Sequence, residues 1–243
     1  MVRMSSPIDV QAVETTTVGF WTTRLITGAA AAGAVSLLLY FPDRDDGSGA
    51  LLGGLSALIA VPLGLAAVAK HRGLPKRSIV DRLRLGALTF GLGIGLGTAN
   101  LAANYGMAVF DSAIYEQMVT RWARFSPWST VVTGPIMEEI AFRLVLLGGL
   151  AWIVGRFTDT RQAILYVALA LSSLLFGLAH TAYGGVDHPV YAIGMAVKSG
   201  AAGMLLGWVF WRRGLPYSIV CHCAANAIHL VLMPVLFGLP GAA

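Results

Sequence analysis

A handful of ionisable and polar residues stand in this chain where apolar neighbours make them expensive. Glu138, Glu139 and Arg143 interrupt the run VVTGPIMEEIAFRLVLL, and His180 closes SSLLFGLAH. His222, Asn226 and His229 lie within YSIVCHCAANAIHLVL, and Lys198 sits inside the apolar stretch 190–211. On a helix Glu139 and Arg143 are four residues apart on one face, with the glutamate N-terminal, the favourable order for an ion pair. Glu138 is rotated from Glu139 by about 100° and is left without a local counter-charge. A carboxylate in that position suits general acid–base work. Pro135, one turn earlier, has no N–H and tends to start or kink a helix, which opens space beside Glu138. His222 and Asn226 also share a face, and His229 continues their stripe. One such histidine is ordinarily a satisfied polar group of a helix bundle; the whole set asks for a cavity. From residue types alone a proton-coupled transporter remains the alternative, because carboxylates and histidines also build proton relays.

The elements that must carry these residues follow from composition. The chain has 243 residues, 56% of them hydrophobic and only 12% charged, with a mean hydropathy of +0.72; soluble domains carry about 25% charged residues. Apolar stretches fall at about 25–41, 49–69, 85–110, 131–154, 163–182, 190–211 and 217–238, each close to the ~20 residues that cross a hydrocarbon core. Backbone groups in lipid must satisfy one another, which at these lengths means helices. The expected fold is an all-α polytopic transmembrane bundle of about seven spans, with the chemistry in the last four. We divide it into N-terminal spans (1–110), an interfacial amphipathic helix (111–130) and a core (131–238).

The net charge of +5 is not a nucleic-acid signal. Twelve of the lysines and arginines fall at the N-terminus and in alternate connections, six of them in KHRGLPKRSIVDRLR (70–84), against three in the remaining connections. Basic residues accumulate on the cytoplasmic side, so the N-terminus and 70–84 are expected inside. The expected location is a multi-pass protein of a bacterial plasma membrane, its first span uncleaved. GLGIGLG (91–97) lacks the preceding strand of a nucleotide-binding motif; Gly91 with Gly95, and Gly93 with Gly97, have the spacing that brings membrane helices close. In 111–130, Ile114, Met118, Trp122 and Phe125 recur at helical spacing while Glu116, Arg121 and Arg124 take other faces. Cys221 and Cys223, two apart on one span, form no disulfide framework.

Three motifs then stand in order. Glu138-Glu139-Ile140-Ala141-Phe142-Arg143 matches E-E-x-x-x-R, Phe176-Gly177-Leu178-Ala179-His180 matches F-x-x-x-H, and His222-Cys223-Ala224-Ala225-Asn226 matches H-x-x-x-N. Over residues 130–235 the chain resembles the CPBP family, the CAAX proteases and bacteriocin-processing (Abi) enzymes, which includes the CAAX prenyl endopeptidase of the Ras-converting type. The first three spans add nothing to the resemblance. It implies an intramembrane endopeptidase in which Glu138 and His180 hold and activate a water, His222 and Asn226 stabilise the oxyanion, and Glu139 and Arg143 are structural. It implies the lipid bilayer and a peptide or membrane-protein substrate as partners, prenylated in the CAAX case, and no nucleic acid. A catalytically silent scaffold or immunity protein is the other reading of the same motifs. No cofactor is expected, since the chain lacks H-E-x-x-H; zinc is the alternative, with Glu138, His180 and His222 as its ligands. One tension remains at this stage. His180 and His222 enter from opposite ends of their spans, so their meeting requires tilt, a broken span or a helix that starts late, with Gly184-Gly185 and Gly214-Leu215-Pro216 as candidate places.

Overall fold

A computed structural model describes residues 78–122, 129–158, 160–182 and 186–238. The spans expected at 25–41 and 49–69 lie outside these residues, as do most of the basic segment 70–84 and the Gly184-Gly185 pair. Among the described residues the secondary structure is helical throughout, with no strand. Helix α1 (Ile79–Phe110) starts at Ser78, whose hydroxyl accepts from the Asp81 N–H, a side-chain cap for an otherwise orphaned donor. Helix α2 (Ser112–Trp122) follows after Asp111, whose carboxylate accepts from the Ala113 N–H at 2.9 Å.

The next helix, α3 (residues 129–154), is not uniform. It runs as a π-helical turn Ser129–Thr133, an α-helical stretch Gly134–Glu138, a second π-helical stretch Glu139–Leu147 and a final α-helical stretch Gly148–Val154. Pro135 explains the first widening: it donates no hydrogen bond and its ring crowds the carbonyl four residues back. No proline or glycine lies within Glu139–Leu147 to demand the second. It accompanies the side chains of Glu139 and Arg143, which reach partners on other helices.

Three unbroken helices complete the bundle: α4 (Arg161–Ala182), α5 (Pro189–Arg213) and α6 (Leu215–Phe237). Gly214, at φ 103°, sits in a region open to glycine and lets α6 begin one residue after α5 ends. Helices α1, α4, α5 and α6 are each long and apolar enough to cross a membrane, and their outward faces carry exposed Leu, Ile, Val and Phe.

Small residues set the spacing between helices. A Cβ at Gly93 would meet the carbonyl of Cys221 and the side chain of Ala224, and one at Gly97 would meet the backbone of Ala225. This pair therefore seats α1 against the back of α6. Gly91 and Gly95, at the same spacing, face open space, so only one of the two glycine pairs is an interface. Helices α4 and α5 approach in the same way, with Gly177 against the Ala196 carbonyl and Gly203 against Ser173. Without a hydrophobic driving force between helices in lipid, such close backbone contact supplies the packing.

Helix α2 lies across the ends of this arrangement. Ile114 and Met118 are buried with Leu101, Tyr191, Met195, Met233 and Phe237. The Tyr115 hydroxyl donates to the Phe237 carbonyl at 2.8 Å, satisfying one of the open acceptors at the end of α6. The amphipathic reading of this segment holds for Ile114 and Met118. Arg121 departs from it: rather than turning away, it hydrogen-bonds Tyr191 on α5.

Candidate active site

The two adjacent glutamates point in different directions, as their rotation on the helix requires. Glu139 is fully buried and serves as an anchor. The Arg143 Nε lies 3.4 Å from its Oε2, one turn along the same helix, and both side chains are fully excluded from solvent. The Ser218 hydroxyl, on α6, donates to the same carboxylate and stands 3.1 Å from the Leu206 carbonyl of α5. The His222 Nδ1–H donates to Glu139 Oε1 at 3.0 Å. One carboxylate thus ties α3 to α6 through two side chains, Ser218 and His222.

The aromatic ring of Phe176 contacts both Arg143 and His180. The Arg143 guanidinium lies over it at 4.5 Å, Phe142 meets it edge-on at 5.0 Å, and the His180 ring is 4.4 Å from it. Apart from the Glu139 contact, Arg143 finds no hydrogen-bond acceptor among the described residues. The cation is held by one carboxylate and a ring face, and the latter interaction gains strength when both groups are desolvated.

Glu138 faces the other way and is about one-third exposed. Its Oε2 is buried and has no hydrogen-bond partner among the described residues. It lies 3.6 Å from His180 Nε2 and 3.7 Å from His222 Nε2. Both imidazoles give their other ring nitrogen to a fixed acceptor: His180 Nδ1–H donates to the Phe176 carbonyl at 2.9 Å, and His222 Nδ1–H to Glu139. A carbonyl can only accept, so the His180 proton is on Nδ1 and its Nε2 is presented to Glu138. The Glu139 carboxylate sets the same tautomer for His222.

The structure therefore brings Glu138, His180 and His222 together, from three different helices. It does so without interrupting α4, α5 or α6. The helix that departs from regularity is α3, and α6 begins directly at Leu215, so a late start is not how the residues meet. Asn226 lies one turn beyond His222 and donates through Nδ2 to the Thr130 carbonyl at 2.8 Å, joining α6 to the first widened turn of α3.

His229 does not continue the stripe into the site. Its Nε2 accepts from Asn104 of α1 at 3.1 Å, and the two form a separate polar pair. The sequence reading missed Ser218, although a signal was present: it stands four residues before His222, on the face that His222 and Asn226 share. The carbonyls of Phe176 and Thr130 had no such signal, since backbone acceptors carry no residue type. The sequence reading also gave α1 no part in the site, yet Gly93 and Gly97 seat the helix that carries His222 and Asn226.

Glu138, His180 and His222 are the residues that would serve a metal. Among the described residues, no group of three or more His, Cys, Asp or Glu side chains has an arrangement that could hold one.

Residues 120–228 match the family model described as type II CAAX prenyl endopeptidase Rce1-like. The matched region begins in the last turns of α2 and ends within α6, so it contains all three motifs and every residue of the site above. Comparisons with curated proteins and with solved structures gave no match. With four helices fit to span a membrane, the chain is an integral membrane protein, and the region that carries its site is similar to the Rce1-like type II CAAX prenyl endopeptidases.

Proposed function

We propose that this protein is an intramembrane endopeptidase of the CAAX type, and that Glu138 and His180 activate the attacking water. The observation that carries this reading is the unbonded, buried Oε2 of Glu138 facing two Nε2 atoms of fixed tautomer. At 3.6–3.7 Å these atoms are too far apart to hydrogen-bond directly, yet one water can reach all of them. Glu138 takes a proton from that water as its oxygen adds to the peptide carbonyl carbon. The carbonyl oxygen, now negative, is met by donors held in a water-poor setting, where they act most strongly. We assign these to His222, once its Nε2 carries a proton, and to the second N–H of Asn226. As the C–N bond breaks, the proton first taken by Glu138 passes through His180 to the leaving amine nitrogen. Glu139, 3.0 Å from His222 Nδ1, holds that ring in place and balances the charge it gains. Its role in this reading extends beyond structural support to positioning.

The test uses the full chain reconstituted in lipid vesicles with a farnesylated peptide ending in a Cys-x-x-x sequence, cleavage being followed by mass spectrometry. The wild type is expected to release the C-terminal fragment and Glu138→Gln to lose at least about 100-fold in turnover. Added chelators are expected to leave the rate unchanged. Undiminished cleavage by Glu138→Gln would remove this mechanism, and loss of activity on chelation with recovery on adding zinc would replace it with metal-assisted hydrolysis.

A further inference from the structure

The two ends of the bundle differ in charge. At one end α3 and α5 finish and α1, α4 and α6 begin. Leu150, Ile164, Trp211 and Leu215, from α3, α4, α5 and α6, pack on one apolar cluster there. The Tyr217 hydroxyl of α6 donates to the Arg82 carbonyl of α1 at 3.4 Å, which brings the start of α1 to the same place. Arg82, Arg84, Arg156, Arg212 and Arg213 lie at this end; among the described residues their acidic neighbour is Asp81, which already accepts from the Ser78 hydroxyl. The opposite end carries Asp111, Glu116 and Asp187 against Arg121.

Arg156 is engaged, its guanidinium lying over the Trp152 ring at 4.1 Å. Arg213 is not: its Nη1 is covered and finds no acceptor among the described residues, while the side chain as a whole keeps part of its surface open. Arg212 beside it is exposed, as is Arg82. The open carbonyls at the end of α5 attract the arginine pair, yet they leave that N–H unanswered. Guanidinium groups bind phosphate through forked pairs of donors. The surface around them is apolar: Ile79, Val80 and Leu83 are exposed on the first turns of α1, and Phe157 is 84% exposed beside Arg156. Arginines and exposed aromatics at the ends of spanning helices belong where acyl chains meet headgroups. That setting favours a lipid over a soluble anion. The excess of cations favours a headgroup of net negative charge over a zwitterionic one, whose own ammonium would be repelled.

We propose that Arg82, Arg212 and Arg213 form a headgroup site for an anionic phospholipid, whose phosphate bridges the α5–α6 turn to the start of α1. The turn leads straight into the anchor of the glutamate and histidine site. The Ser218 N–H donates to the Gly214 carbonyl at 3.3 Å, and the Ser218 hydroxyl donates to Glu139. A bound headgroup thus holds the first turn of the helix that carries His222 and Asn226. The site goes beyond the endopeptidase reading and does not depend on it.

The experiment offers the full-length protein, in a neutral detergent, equal amounts of phosphatidylglycerol and phosphatidylcholine with the same acyl chains. Retained lipid is read by native mass spectrometry. Each arginine at an anionic lipid is expected to contribute about fivefold in affinity. The wild type should therefore prefer phosphatidylglycerol by on the order of 100-fold, Arg213→Gln should lower the preference about fivefold, and Arg82→Gln/Arg212→Gln/Arg213→Gln should bring it close to one. Arg84→Gln is the control: two positions from Arg82 it is rotated by about 200° on α1 and should change the preference little. These side chains are exposed or half-buried, so the variants are expected to fold, and melting in phosphatidylcholine nanodiscs checks this. Adding phosphatidylglycerol to the nanodiscs should raise the wild-type melting temperature and leave the triple variant unmoved. Inorganic phosphate or polyglutamate added to phosphatidylcholine nanodiscs should raise neither. Equal retention of the two lipids, or a preference that survives the triple variant, overturns the site. A loss on Arg84→Gln as large as that on Arg213→Gln also overturns it, in favour of a diffuse charged belt. A wild-type melting shift from inorganic phosphate or polyglutamate as large as that from the lipid overturns it in favour of a soluble anion or an acidic protein.

Discussion

Glu138 and Glu139 are neighbours in sequence and opposites in environment. Glu139 is fully buried and collects an arginine, a serine and a histidine, so its charge is neutralised and its lone pairs are used. Glu138 keeps about a third of its surface exposed and has a buried oxygen with no hydrogen-bond partner among the described residues. A carboxylate that the protein has satisfied holds helices together. One that it has left unsatisfied remains available to something that arrives. The contrast divides a single dipeptide into an anchor and, in the proposed reading, a reactive edge, and it yields separate expectations for the two.

The largest effect is expected on the anchored side. Removing one partner of a buried ion pair typically costs about 3–5 kcal/mol, because the other charge is left uncompensated. Arg143→Ala should therefore lower the melting temperature and the yield of monodisperse protein far more than any change at Glu138. The double variant Glu139→Gln/Arg143→Met removes both charges, keeps an acceptor for His222 and lets Ser218 accept from the amide while donating to the Leu206 carbonyl, and it should recover most of the lost stability. If Arg143→Ala and Glu138→Ala melt together, the division between anchor and edge is wrong.

Next is the reactive side. Glu138→Gln keeps the shape and adds donors near two imidazole nitrogens, so its melting temperature should match the wild type within a few degrees. Its turnover of a cleavable peptide should fall at least about 100-fold. A variant that lost stability and activity in proportion would instead assign Glu138 to the scaffold.

The smallest expected effect sharpens the anchor. Ser218→Ala deletes one donor to a buried carboxylate, a loss of about 1–3 kcal/mol, while Arg143 and His222 remain. Thermal unfolding should register it, and turnover measured well below the melting temperature should drop less than tenfold. A loss of turnover as large as that of Glu138→Gln would show that Ser218 positions His222 for the reaction as well as stabilising α6.

Some of this was legible from residue order alone. Adjacent positions on a helix diverge by about 100°, so the split between Glu138 and Glu139 follows from any helical reading of 131–154. Spacing of four gave the Glu139–Arg143 pair and placed His222 with Asn226. Glycine spacing marked α1 as a packing helix, but two glycine pairs had equal claims. Only the contact with Cys221, Ala224 and Ala225 selected Gly93 and Gly97. The amphipathic pattern of α2 put Arg121 on an outer face, yet a long side chain can reach back to a phenol on a neighbouring helix, which a projection on one helix does not register.

Local periodicity and the cost of polar groups in an apolar chain set the helices, their inward faces and the short roster of residues able to do chemistry. The alignment of the helices along their lengths comes from packing instead. His180 lies near the end of α4 and His222 two turns into α6, and no intrahelical rule says that they meet at one oxygen of Glu138. That meeting depends on the widened turns of α3, on the backbone contact of α1 with α6, and on carbonyls of Phe176 and Thr130. Backbone acceptors are the same at every position, so sequence cannot point to the ones that orient a side chain; only the packing of one helix against another selects them.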